Sequence, residues 1–346
     1  MKKLLTLLMF FMAISLYAQE EQKKKSFNFS GSIDAYYRAN ITAPNDENAI
    51  APGSSFANLP GFALGMVNLI VSHEGEKVGF VADLVFGPRG TDATFASPMY
   101  PIGDEEIGTG NIINQLYAYW NVSENVKLTL GNFNTFLGYE VISPLANFNY
   151  STSYLFSYGP FSHTGLKADF ALSEDFSLML GVFNDTDLTE FNPTGDYAAG
   201  AQLGYKGQFL NLLYDPSFFE IDFTGGFDLS DTFYLGINAA YLDLEDDTGG
   251  FLGVALYPQY TVSDTFALGL RGEYFAEDGN FGAIGSGVED TSVFTATLTG
   301  NFTIAEDLLI KPELRLDSAS DDAFIDHDLV ATKSLASFLV AAVYKF

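Results

Sequence analysis

Apolar and polar side chains alternate along most of the chain. From Phe266 to Ala276, one set of alternate positions reads Phe266, Leu268, Leu270, Gly272, Tyr274 and Ala276. The other set reads Ala267, Gly269, Arg271, Glu273 and Phe275. Leu308, Ile310, Leu314 and Leu316 oppose Lys311, Glu313, Arg315 and Asp317 in the same way. Phe219, Ile221, Phe223 and Phe227 oppose Glu220, Asp222, Thr224 and Asp228. A period of two marks strands with two unlike faces. The run "SFLVAAVYKF" keeps Phe338, Val340, Ala342, Tyr344 and Phe346 in phase up to the last residue. These runs have about the 9 to 11 residues that a tilted strand needs to cross a bilayer.

Two kinds of connection separate the runs. One is a short recurring signature: "NVSENVKLTLG" from Asn121, "ALSEDFSLMLG" from Ala171, "DLSDTFYLGIN" from Asp228, "TVSDTFALGLR" from Thr261, and a weaker copy, "TIAEDLLIKPE", from Thr303. Each sets Ser (Ala305 in the last) and an acid just ahead of an alternating strand, as a tight hairpin turn does. Glu74-Gly75-Glu76 and Lys206-Gly207-Gln208 read as two more turns. The other kind is long and mostly acidic: residues 41–60, 88–110, 137–162, 185–196, 278–289 and 318–332. Short turns on one rim and long loops on the other are the asymmetry of outer-membrane β-barrels. Seven hairpins and two terminal strands predict an all-β fold, a transmembrane antiparallel β-barrel of about 16 strands, the even number bacterial barrels have. The segment around Pro216 is a weak strand boundary, so the count could move by two.

A soluble sandwich shares the alternation but hides its apolar face in a core. The two unlike rims favour the barrel. So do tyrosines near strand ends, read here as interfacial girdles: Tyr36, Tyr37, Tyr117, Tyr119, Tyr241, Tyr257, Tyr260, Tyr274 and Tyr344.

Composition sharpens this picture. The chain of 346 residues carries a formal charge of −28, yet 47% of it is hydrophobic and 15% aromatic. That much aromatic surface excludes disorder, and the acidity excludes nucleic-acid partners, which need a basic face. Met1-Lys2-Lys3, the apolar run to Leu16 and the Leu16-Tyr17-Ala18 cleavage point read as a signal peptide over residues 1–18. Residues 19–26 then form a periplasmic N-terminal segment and residues 27–346 the barrel. There is no cysteine, and His73, His163 and His327 are scattered, so no metal and no cofactor are expected.

The runs "NIINQLYAYWNVSENVKLTLGNFNTFLGYEVISP" and "NYSTSYLFSYGPFSHTGLKADFALSEDFSLMLGVFN", with the terminal Tyr344-Lys345-Phe346, resemble Gram-negative outer-membrane porins. The nearest resemblance is to the second β-barrel porin family, described as OmpL-like, and it covers the whole mature chain. It implies passive diffusion of small hydrophilic solutes and ions. It also implies outer-membrane lipid and lipopolysaccharide as surroundings, and barrel-assembly machinery that reads Tyr344 and Phe346 as its signal. A homo-oligomer is left open.

With apolar faces outward, Asp34, Arg38, Asp83, Lys167, Asp169, Glu220, Asp222, Arg271, Glu273, Lys311, Glu313, Arg315 and Asp317 point into the lumen as pore-lining candidates. Charged rings set ion preference. For any one residue the plainer reading is an opposite-charge pair across neighbouring strands. Val141 to Ser162 carries no charge in a chain with 44 acids, and it holds the constriction-loop candidates Phe148, Tyr150, Tyr154, Phe156 and Tyr158. Such a loop wants burial. It is expected to fold into the barrel; a subunit contact, or packing on other loops, is the alternative. Asp243, Glu245 and Asp247 begin like a calcium loop but lack its glycine and its final glutamate, and so read as solvated surface. No nucleophile elbow or Ser–His–acid set appears, so no enzyme is expected. The negative loops predict a weak cation preference. The alternative is a surface adhesion or assembly barrel with a closed lumen.

Overall fold

The structure is a computed structural model that describes residues 26–95, 100–102, 105–107, 112–190, 192, 194–245 and 248–346. The signal peptide and nearly all of segment 19–26 therefore lie outside the described residues. The sixteen barrel strands are β1 (Asn28–Asn40), β2 (Gly61–His73), β3 (Val78–Phe86), β4 (Ile113–Ser123), β5 (Val126–Asn134), β6 (Ser162–Ala171), β7 (Phe176–Phe183) and β8 (Ala198–Tyr205), followed by β9 (Gln208–Asp215), β10 (Phe218–Ser230), β11 (Phe233–Leu244), β12 (Gly250–Ser263), β13 (Phe266–Asp278), β14 (Ser292–Ile304), β15 (Leu308–Ala319) and β16 (Ser334–Lys345). Each pairs antiparallel with its chain neighbours, and the sheet closes on itself. The closing pair runs from Ser32↔Lys345 to Asn40↔Ser337. Closure leaves no free sheet edge, which hydrocarbon would penalise by several kcal/mol per unpaired group. Among the described residues, no helix is long and apolar enough to cross a membrane.

All seven expected turns join strands on one rim, at residues 74–77, 124–125, 172–175, 206–207, 231–232, 264–265 and 305–307. The opposite rim carries loops 1 to 8, at 41–60, 87–112, 135–161, 184–197, 216–217, 245–249, 279–291 and 320–333. The weak boundary at Pro216 is loop 5, only two residues long. Loop 2 holds a short helix, α1 (Pro88–Ala93), and loop 3 holds α2 (Tyr154–Tyr158). The Ser153 side chain caps α2 by accepting from the Phe156 amide at 3.0 Å.

The period-two pattern sorts the side chains as expected. Leu268, Leu270, Leu298, Leu314 and Leu316 point outward and are exposed, whereas Arg271, Glu273, Thr297, Lys311 and Arg315 are buried inside. The girdle reading needs correction. Tyr37, Tyr241, Tyr260, Tyr274 and Tyr344 are exposed on the outer wall, as is Trp120. Tyr36, Tyr117, Tyr119 and Tyr257 lie on the inward alternation of their strands instead. Tyr36 shares the phase of Asp34 and Arg38 and packs on Tyr150, with ring centroids 5.6 Å apart. Position near a strand end does not decide the face; parity with a charged neighbour does.

Candidate pore interior and constriction loop

Loop 3 leaves β5 and returns to β6, but its middle lies against the far wall, on strands β10 to β16 and β1. The wall residues that hold it are those the alternation turns inward. Glu313 accepts from the Tyr150 amide at 2.9 Å and from the Ser151 amide at 3.3 Å. Glu273 accepts from the Tyr154 and Leu155 amides at 3.1 and 2.9 Å. Arg271 donates to the carbonyls of Ser151 and Thr152 at 2.6 and 3.1 Å, and Arg315 reaches Thr152 at 2.8 Å. Lys311 donates to the carbonyls of Pro144 and Asn147 at 2.8 and 2.6 Å. The Tyr150 hydroxyl donates to Asp34. From loop 2, Arg89 donates to the carbonyls of Ile142 and Tyr150 at 2.8 and 3.1 Å.

Outside α2 the backbone of loop 3 is irregular, and many of its amides and carbonyls from Pro144 to Leu155 find their partners outside the loop. Buried backbone groups must be paired, and here charged wall side chains pair them. Charge-assisted hydrogen bonds of this kind are stronger than neutral ones. Cross-strand ion pairing is not what most of these charges do. On β14, Thr295 stands between Glu273 and Asp317, Thr297 between Arg271 and Arg315, and Thr299 beside Glu313, so the charges of β13 and β15 that face one another across β14 are of like sign. Among the described residues the wall keeps Arg315–Asp317 within β15 at 2.8 Å, and Asp169 paired with Lys167 at 3.4 Å and, across the strands, with Lys127 at 4.0 Å. Sequence reasoning missed Glu140, which lies one residue before the uncharged stretch and binds Arg271 at 2.7 Å. The threonine row on β14 was the available signal, since it offers Glu273, Arg271 and Glu313 only neutral hydroxyl partners across the strands, at 3.2, 3.2 and 2.8 Å.

The remaining lumen candidates sit elsewhere. Asp83 accepts from Asn68, from Asn114 at 2.8 Å and from Gln115 at 3.0 Å. Arg38 donates to the Ile50 carbonyl of loop 1 at 3.2 Å. Asp222 accepts from the Gly138 amide at 3.1 Å and from Asn211 at 2.6 Å. Glu220 is buried, and its Oε2 has no partner among the described residues. Lys167 and Asp169 are half-buried, on the side of the barrel away from the loop 3 contacts.

Of the loop aromatics, Tyr150, Tyr154 and Phe156 are buried, while Phe148 and Tyr158 are half-buried. The Tyr154 hydroxyl accepts from the Gly53 amide of loop 1 at 3.2 Å, and the Tyr158 hydroxyl donates to the Ala283 carbonyl of loop 7 at 2.9 Å. Phe156 stacks on Phe161 at 4.8 Å. Packing on other loops and infolding therefore occur together. Inward glycines make room for the loop: a Cβ on Gly236 would come within 2.3 Å of the Tyr139 hydroxyl, and one on Gly269 within 2.4 Å of the Phe148 ring. At the exit of loop 3, Asp187 of loop 4 accepts from the Phe161 and Ser162 amides at 2.7 and 2.8 Å through one oxygen. Burial pushes its carboxyl up to about 6, against the pull of those amides. The calcium-like segment ends outside the described residues at 246–247, and Asp243 is exposed at the end of β11.

A closed sixteen-strand cylinder with an apolar outer belt, a polar interior and a loop folded into its middle is an outer-membrane channel. Residues 26–346 match the family described as "Putative beta-barrel porin-2, OmpL-like", and the chain belongs to it. No curated protein sequence matches the chain. Among solved structures it is similar to the outer-membrane channel DcaP of Acinetobacter baumannii, at a TM-score of 0.59 and 13% identity over 94% of this chain and 99% of that one. It is also similar to an anion-selective porin from Comamonas acidovorans, at 0.60 and 12% over 93% and 100%. OmpT of Vibrio cholerae in its trimer form scores 0.55 at 11% identity over 93% and 99%. At such identities the likeness is one of fold.

Proposed function

We propose that this porin passes small hydrophilic solutes and ions with a weak preference for cations, and that loop 3 sets its narrowest section. The observation that carries the preference is the surplus of carboxylates. The lumen candidates Asp34, Asp83, Asp169, Glu220, Asp222, Glu273, Glu313 and Asp317 outnumber Arg38, Lys167, Arg271, Lys311 and Arg315. Loops 4, 6, 7 and 8 add acids and, in return, only Lys333. A low-dielectric wall focuses the field of that surplus along the axis. A reversal-potential measurement across a salt gradient tests it, and an anion-directed potential would overturn it. Deleting residues 147–158 tests the constriction, because unchanged single-channel conductance would remove loop 3 from that role.

The same reading places lipid and lipopolysaccharide around the outer belt and gives Tyr344 and Phe346 to the barrel-assembly machinery. It also makes the chain a homo-oligomer. Phe62 and Leu64, 91% and 69% exposed, stand on the part of β2 that extends past the end of β3. Where no neighbouring strand covers them, these side chains are open to lipid or to a second copy of the chain.

A further inference from the structure

Beneath loop 3, toward the rim of short turns, the interior opens into a cavity of about 570 Å³. That is the size of a small-molecule site. Tyr234, Tyr257, Gln259 and Asn301 form its wall, and Tyr139 and Phe148 of loop 3 form its roof.

Two features set its chemistry. The first is aromatic. Tyr139 and Tyr257 stack with centroids 4.3 Å apart, and the Tyr139 hydroxyl donates to the Tyr234 hydroxyl at 3.3 Å. Phe148 is half-buried, seated against Gly269. The second is a set of neutral polar groups with unused capacity. Asn301 donates to the Phe148 carbonyl at 3.0 Å, but its own buried Oδ1 has no partner among the described residues. Among the described residues Gln259 donates to the Tyr139 hydroxyl alone, at a long 3.5 Å. A buried polar atom left without a partner is costly, so this cavity favours a guest that supplies hydrogen bonds.

Charge is scarce in the lining and largely engaged. Glu140 is taken by Arg271 and by the Ser153 amide at 2.8 Å, and Lys311 is taken by two loop carbonyls. Lys311 is 1% exposed, and neutral side chains make up the rest of the lining. Flat apolar rings bordered by neutral donors and acceptors match a ligand with C–H faces and hydroxyl edges. We propose that this cavity is a subsite for a neutral mono- or disaccharide at the periplasmic end of the pore. The proposal rests on the diffusion-channel reading and names a solute class for it.

Calorimetric titration of the detergent-solubilised full chain with maltose tests this, with sodium glucuronate as the charged counterpart. Maltose is expected to bind in the millimolar range, and glucuronate at least about tenfold more weakly. Tyr139→Ala and Asn301→Leu should each weaken maltose about tenfold or more, while Tyr260→Ala on the outer wall changes nothing. Gln259→Leu keeps the wall volume and serves if Tyr139→Ala fails to fold. In a planar bilayer, maltose on the short-turn side should interrupt the current reversibly. Absence of heat and of interruptions up to about 100 mM, or equal binding by Gln259→Leu and Asn301→Leu, overturns the subsite. A protein that conducts but ignores maltose loses this inference alone. One that neither conducts nor swells liposomes loses the channel reading, and the calorimetry still decides the subsite.

Discussion

Glu140 Oε1 accepts a hydrogen bond from Arg271 Nη1 at 2.7 Å, with both side chains shut away from solvent. One residue belongs to the root of loop 3 and the other to the far wall, so the pair bridges the lumen. Breaking a buried pair by removing one partner typically costs about 3 to 5 kcal/mol, because the survivor stays charged in a dry place. Glu140→Ala should therefore lower the unfolding midpoint of the detergent-solubilised barrel and add open-channel noise. Glu140→Gln keeps an acceptor for the guanidinium and should cost clearly less. Heat-dependent mobility on gels, with single-channel recording, measures both.

Two glycines on opposite faces of the wall, Gly236 on β11 and Gly272 on β13, should behave in opposite ways. Gly236→Val would drive a Cβ to within 2.3 Å of the Tyr139 hydroxyl, and overpacking of this kind costs about 1 to 3 kcal/mol. Gly272 points outward with nothing within 4 Å of an added Cβ. Gly272→Val should be neutral or mildly stabilising, since it gains strand propensity and lipid-facing surface. Comparing the unfolding midpoints of the two variants checks the assignment of faces.

Asp187 links pH to the exit of loop 3. Its carboxyl is raised to about 6 by burial, above its ordinary value of 3.8. A raised acid binds its proton more tightly in the folded state. Its contribution is fully present below about pH 4 and is lost as pH rises through about 6. The contribution is at most about 3 kcal/mol. The Phe161 and Ser162 amides should exchange more slowly at pH 4.5 than at pH 7 after correction for intrinsic rates. Asp187→Asn should flatten that dependence. An amide joint that tightens with rising pH would contradict the assignment.

Asp169 is half-buried beside Lys167 and Lys127, so it borders water within the barrel. Asp169→Asn should reduce the proposed cation preference by a small, salt-dependent amount, largest at low ionic strength. Reversal potentials at two salt concentrations, in variant and parent, check this. Arg315 is tied to Asp317 at 2.8 Å and to loop 3. Asp317→Asn should instead destabilise the barrel and change selectivity little.

The cylinder was legible in the sequence because its rules are local. Period two and the Ser-acid turns carry strand count, phase and the two rims without any long-range information. Pro216 was doubtful because a loop of two residues mimics the turns of the other rim. Tyr36, Tyr117, Tyr119 and Tyr257 were misassigned because an aromatic ring suits both a lipid interface and a packed interior. Loop 3 announced by its lack of charge that it would seek burial, with the barrel interior as the expected shelter, but not which wall it would meet. That depends on Arg271, Glu273, Glu313 and Arg315, which lie more than a hundred residues away and look like ordinary pore charges. Only Thr295, Thr297 and Thr299, which set neutral hydroxyls beside charges that find no opposite sign across β14, hinted that something else would claim them.

The far wall is thus written for protein rather than for water. Cutting out loop 3 to make a wide nanopore would strand a ladder of acids and bases that evolved as handholds for a backbone. Any redesign of the aperture has to rewrite β13 and β15 together with the segment they grip, as one would recut a lock and its bolt.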